Sequence, residues 1–148
     1  MKFILTKELG RLSRWLRILG FDTVYYDKDN LGTLLILALR EDRKIITRSR
    51  SLIHPKRCMV IIDSDRLEEQ LKEVIPKLNL KIEKEKFFSR CTVCNRELTD
   101  VEKGKIKQQV PPYVYQNQEH FMKCENCNKI YWKGTHWGNI KEAIGKII

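Results

Sequence analysis

Two Cys-x-x-Cys pairs, Cys91-Thr-Val-Cys94 and Cys124-Glu-Asn-Cys127, constrain this chain more than any other feature. Such a turn presents two sulfurs to one metal while its backbone N–H groups stabilise the thiolates, and a closed structural zinc site takes four ligands in a tetrahedron. The 29 residues between the pairs exceed the usual spacing of roughly 15–20, so the inserted segment must return to the metal as a hairpin or loop. Two disulfides, or four unrelated buried cysteines, are the competing reading. The fifth cysteine, Cys58, argues against disulfides: an odd thiol fits a reducing compartment, and Cys58 itself reads as a small buried hydrophobe.

The rest of the chain needs a core of its own. Its 148 residues accommodate an α/β domain over 1–80 followed by a metal-stapled module over 81–148. No apolar run approaches the roughly 18 residues of a membrane span, and the N-terminus becomes charged too early for a secretory signal, so a cytoplasmic protein is expected. The net charge of +10 points to a polyanion partner, with nucleic acid the natural candidate. The charge is front-loaded: residues 1–57 hold 13 Lys and Arg against 6 Asp and Glu, whereas residues 58–80 hold 3 against 5.

Phe3-Ile4-Leu5 reads as a buried strand, with Thr6 as cap of a helix over Lys7 to Leu19. Leu9, Leu12, Leu16 and Leu19 fall on one face of that helix, and Arg11, Arg14 and Arg17 form a row elsewhere on it, a stripe suited to phosphates. Gly20 stops the helix. A strand follows over Phe21 to Tyr26, then a helix over Thr33 to Glu41 that is apolar nearly all round and so reads as buried. Strands at Lys44 to Thr47 and Met59 to Ile62 come next, separated by a loop at Pro55. A helix from Arg66 to Val74 is capped by Asp63 or Ser64 and ended by Pro76. This order implies a parallel sheet wound by helices.

In such a sheet the chemistry collects where the strands end. Those positions hold Thr6, Asp27 with Asp29, Thr47 to Ser51, and Asp63 with Asp65. Hydroxyls follow the first and third strands, and neutral hydroxyls do not offset the charge of Mg²⁺ or Mn²⁺ as carboxylates do. The crevice therefore suits holding phosphate better than cutting it.

In the module, Val110 to Tyr115 is expected to be extended because each X-Pro step disfavours helix at the preceding residue. Phe121 to Lys123 and Lys129 to Trp132 read as hairpin strands flanking the second cysteine pair. Tyr113, Tyr115, Tyr131, Trp132 and Trp137 interleave with lysines, which suits base stacking, although a small module more often spends its aromatics on its own core. Asn139 is expected to cap a last helix docked through Ile140, Ala143, Ile144 and Ile147.

Three groups of motifs, taken together, carry a family resemblance. The first is Leu9-Gly10-Arg11-Leu12-Ser13-Arg14-Trp15-Leu16-Arg17 with Gly20-Phe21-Asp22; the second is Ile46-Thr47-Arg48. The third comprises Arg90-Cys91-x-x-Cys94-Asn95, Val110-Pro111, Cys124-x-x-Cys127 and Tyr131-Trp132-x-Gly134-x-His136. Over nearly its whole length the chain resembles the Mut7-C ribonuclease-like family, a PIN-like α/β fold with a C-terminal zinc ribbon. The resemblance implies a nuclease whose acids follow the first strand, precede the second helix and follow the Thr-Arg of the third strand. Here those positions hold Thr6, a residue within Leu31-Gly32-Thr33, and Ser49. The family's carboxylates are gone from all three, and the acids left for a rearranged site are Asp22, Asp27, Asp29, Asp63 and Asp65.

The leading expectation is an RNA-binding protein that does not cleave, attached to a ribosome or another ribonucleoprotein. It would hold RNA through Lys7, Arg11, Arg14, Arg17, Arg43, Arg48 and Arg50, with Lys133 and His136 from the ribbon, and would carry zinc on Cys91, Cys94, Cys124 and Cys127. The alternatives are an active endoribonuclease, which alone would need Mg²⁺ or Mn²⁺, and a module whose ribbon grips a protein.

Overall fold

Phe3, Ile4, Leu5, Ile45 and Ile46 are wholly buried, as expected of apolar runs in strands covered on both faces. The computed structural model describes residues 1–51 and 58–147, and the side chains of all of these except Thr135 and His136. The chain forms two compact units, Met1–Asn95 and Arg96–Ile148.

The first unit runs β1 (Lys2–Leu5), a 3-10 turn (Lys7–Leu9), α1 (Gly10–Ile18), β2 (Asp22–Tyr25), α2 (Leu31–Arg40), β3 (Lys44–Thr47), β4 (Met59–Ile61) and α3 (Leu67–Lys77). Its four strands form one parallel sheet in the order β2-β1-β3-β4. The mixed α/β architecture matches the expectation, and the loop expected at Pro55 lies outside the described residues.

Several local expectations are corrected. The first helix begins as a 3-10 turn, and the Thr6 side chain makes no capping bond because its hydroxyl turns to Glu8 and Thr47. Helix α2 starts at Leu31, capped by the Asn30 side chain, which accepts from the Thr33 amide at 3.0 Å. It is not buried all round: Leu34 and Ala38 pack on Ile4, Tyr26 and Ile45, whereas Ile36 and Leu39 are 62% and 63% exposed. A helix packed against a single sheet buries one stripe, whatever its other faces carry. Helix α3 runs through Pro76 and ends one residue later, at Lys77. Arg66 occupies its cap position with no side-chain bond. Cys58 is half-buried rather than buried.

Gly20 closes α1 at φ +92, and a Cβ there would meet the Lys86 carbonyl oxygen at 2.6 Å. Only glycine supplies both the left-handed backbone and the close approach.

The second unit contains β5 (Thr99–Val101), α4 (Pro112–Asn117), β6 (Phe121–Lys123), β7 (Ile130–Trp132) and α5 (Thr135–Ile147). Its strands form an antiparallel sheet in the order β5-β6-β7, so the expected hairpin is present with a third strand beside it. The segment expected to be extended after Val110 instead turns helical at Pro112, which stands at the first helical position, where a missing N–H is harmless. Helix α5 starts four residues before Asn139, directly after Gly134, where a Cβ would lie 3.0 Å from the Trp132 indole nitrogen.

Ile106, Val110, Phe121 and Ile130 make the core of this unit, with Tyr115 packed at its edge. The aromatic mini-core is therefore largely aliphatic. Tyr113 is 76% exposed, Trp132 is exposed, and lysines lie over the rings of Tyr115, Tyr131 and Trp137.

Candidate functional site

The carboxyl ends of β1, β3 and β4 open into a cavity of about 480 Å³ lined by Glu8, Arg48, Ser49, Arg50, Ile62 and Asp63. The buried hydroxyls of Thr6 and Thr47 stand at the same strand ends. The Thr6 Oγ1 donates to Glu8 Oε1 at 2.5 Å and lies 3.0 Å from Thr47 Oγ1; the Thr47 hydroxyl is 3.3 Å from the same carboxylate oxygen. The Arg48 amide donates to that oxygen at 3.0 Å, and the Ser49 amide donates to Thr47 Oγ1 at 3.0 Å. Partial burial opposes ionisation of Glu8, but the Thr6 hydroxyl, the Arg48 amide and the Thr47 hydroxyl outweigh it and hold the carboxyl below its ordinary value.

Glu8 is the crevice acid that sequence reasoning missed. The 3-10 turn places it one short turn beyond Thr6, so its carboxylate reaches back to the strand ends. The available signal was an acid two residues after a strand-terminal threonine.

The other acids are placed as follows. Asp63 lines the crevice, and its carboxylate pairs with the Arg50 guanidinium. Asp27 and Asp65 are exposed, and Asp29 pairs with Lys7. Asp22 opens β2 beside Lys2, at the opposite edge of the sheet. There it accepts from Arg43 and from Asn95, each at 2.7 Å. Burial opposes its ionisation, yet Arg43, Asn95 and Arg90 hold its carboxyl below the usual range. Among the described residues, no group of three or more His, Asp or Glu side chains converges on one point.

Two of the expected RNA contacts belong to the framework. Arg17 is only 7% exposed; it donates to the Thr23 carbonyl at 2.9 Å and to the Thr92 and Val93 carbonyls at 2.9 and 3.0 Å. Arg43 is held by Glu41, Asp22 and the Phe3 carbonyl. A planar guanidinium satisfies several buried acceptors at once, which explains why arginine stands at both positions. Arg11, Arg14, Arg48 and Arg50 are exposed, as is Lys7. Lys133 is exposed over the Trp137 ring, and the His136 side chain lies outside the described residues.

The ligand atoms of Cys91, Cys94, Cys124 and Cys127 all lie within 4.8 Å of one another, the first residue of each pair buried and the second half-buried. A tetrahedron with metal–sulfur bonds of about 2.3 Å has edges of roughly 3.8 Å, so this donor set fits a metal such as zinc. The two knuckles share one device. The amide of Asn95 donates to the Cys91 carbonyl at 3.0 Å, and that of Asn128 to the Cys124 carbonyl at 2.8 Å. Both asparagines take left-handed backbone, with φ of 73 and 57, a conformation asparagine tolerates better than most residues. The Cys127 amide also points to Cys124 Sγ at 3.4 Å. Asn95 does more: its side chain accepts from the Thr23 amide at 2.9 Å and donates to Asp22.

A parallel four-stranded α/β sheet with a crevice at its strand ends, together with four clustered cysteines that could hold a metal, defines the class: an α/β domain followed by a small cysteine ribbon. The Mut7-C RNAse domain family matches the chain over residues 1–144, and the chain belongs to that family. Neither a curated protein nor a solved structure matches it significantly.

Proposed function

We propose that this member of the family binds RNA without cleaving it, through the crevice at the carboxyl ends of β1, β3 and β4 and the exposed cations around it. The observation that carries the reading is the state of the crevice acids. Glu8 is occupied by two hydroxyls and an amide, and Asp63 is paired with Arg50. In-line hydrolysis on two metals needs carboxylates free to bridge them. Arg48, Arg50 and the Ser49 hydroxyl instead offer a phosphate what it requires, namely positive charge and hydrogen-bond donors. Arg11 and Arg14 of α1 extend the basic surface.

Zinc is the metal best suited to the four thiolates, and its role is to hold the ribbon. The chain works in the cytoplasm as part of a ribosome or other ribonucleoprotein, a setting that suits a basic protein whose affinity is spent on retention. A protein partner is the second reading, favoured by the exposed Leu31, Ile36 and Leu39 on α2.

The test incubates purified protein with end-labelled single-stranded RNA and Mg²⁺ or Mn²⁺. The expected result is intact RNA and binding that weakens with salt by a log–log slope of about −0.7 per phosphate contacted. Cleavage abolished by EDTA would overturn the non-catalytic reading, and binding indifferent to salt would overturn the RNA reading.

A further inference from the structure

A second cavity, about 470 Å³, lies at the opposite, amino-terminal edge of the parallel sheet, where Lys2 opens β1 and Asp22 opens β2. The crevice chemistry makes no use of it. Its size is that of a small-molecule pocket, far larger than an inorganic anion needs. Phe21 and Leu80 provide an aromatic and an aliphatic wall, and Phe21 is fixed edge-on against Phe3 with ring centroids 5.8 Å apart.

The charges around this cavity are unevenly matched. Lys86 is paired with Glu83, and Arg90 lies beside Asp22. Lys2 and Lys81 are exposed, and among the described residues neither makes an ion pair. The lining thus carries an aromatic wall, two lysines without an acid, and polar groups from Asp22 and Asn79. A flat ring stacks on an aromatic face, a phosphate answers the lysines, and a side-chain amide such as that of Asn79 pairs with ring or sugar polar groups.

We propose that this cavity binds a nucleoside phosphate, at a site separate from the crevice. The same chemistry is offered by a free nucleotide and by the 5′-phosphorylated end of an RNA strand.

The test titrates the isotopically labelled full chain with uridine 5′-monophosphate, adenosine 5′-monophosphate, inorganic phosphate, and short RNAs bearing a 5′-phosphate or a 5′-hydroxyl. Saturable shifts of the Gly20, Phe21, Leu80 and Lys81 amides are expected with a nucleotide, at least about tenfold tighter than with inorganic phosphate. Lys81→Glu should weaken nucleotide binding about tenfold, since it puts a like charge against the phosphate, and Arg50→Glu in the crevice should leave it unchanged. Lys81 is exposed and unpaired, and unaltered circular dichroism of the variant confirms that its fold is kept. A preference for the 5′-phosphate RNA identifies a strand end as the ligand; equal response to both RNAs with tight mononucleotide binding identifies a free nucleotide. No saturation at millimolar nucleotide, equal affinity for inorganic phosphate, or indifference to Lys81→Glu would overturn the site. These readouts stand whether or not the crevice binds RNA.

Discussion

Glu8 closes the end of β1 by accepting the Thr6 hydroxyl at 2.5 Å, so a 3-10 turn and the residue before it occupy the place where strand-end chemistry would stand. Replacing Glu8 with Gln removes the charge and keeps one acceptor oxygen for the Arg48 amide. Stability should fall by about 1 kcal/mol, a modest value because the site is open to solvent. RNA affinity should rise about threefold to tenfold at low salt, because the crevice loses a negative charge that repels phosphate. Urea denaturation and filter binding measure the two effects; weaker RNA binding would remove the crevice as the contact.

Arg17 and Arg14 stand three residues apart on α1 and should behave oppositely. Arg17→Met leaves three carbonyls, two of them buried, without their donor and should cost about 3 kcal/mol. Arg14→Gln should be neutral for stability and lower the salt slope of RNA binding by about one phosphate's share. Thermal melts and salt titrations separate the two roles.

The two knuckle asparagines offer a matched pair. Glycine preserves the left-handed backbone at either position. Asn128→Gly should therefore be nearly silent. Asn95→Gly should cost about 2 kcal/mol, because the Thr23 amide and the Asp22 carboxylate each lose a partner. Chemical denaturation of the two variants decides it.

Metal analysis should return about one zinc per chain, and Cys124→Ser should release it. Because binding free energy at a four-thiolate site is folding free energy, chelation should broaden or split the unfolding transition. A chain that is fully folded with no metal would undo the assignment of the cluster.

Glu73 carries the clearest acid signature. The Ser64 hydroxyl leads a set of donors, with the Asp63 amide, Lys77 and the Ser64 amide, that lowers its carboxyl from 4.5 to about 2. A folded-state value below the unfolded one contributes stability that is complete above pH 4.5 and is lost as pH falls toward 2. Glu73→Gln should thus destabilise at neutral pH, with the difference from the parent chain vanishing near pH 2. A pH series of urea melts checks the sign.

The bracing by Glu73 also shows where sequence reasoning stopped. Asp63 or Ser64 is the expected helix cap, yet it is a carboxylate from the second turn of α3 that holds the amides of Asp63 and Ser64. Apolar runs and glycine stops are local signals, and they located β1 and β3 and the end of α1. A side-chain bond across several turns has no such local mark.

The sequence alone determined the parallel strands, through continuous apolar runs, and which four cysteines come together as a candidate metal site, through their paired spacing. Burial and sulfur chemistry depend on residue type, and residue type is what a sequence states. Only the tertiary structure decided which charges are free. Arg17 meets acceptors 75 and 76 positions away, Asp22 meets Arg43 and Asn95, and Glu8 reaches Thr47 and Arg48. A long charged side chain takes its role from its partner, and the fold supplies that partner from elsewhere in the chain.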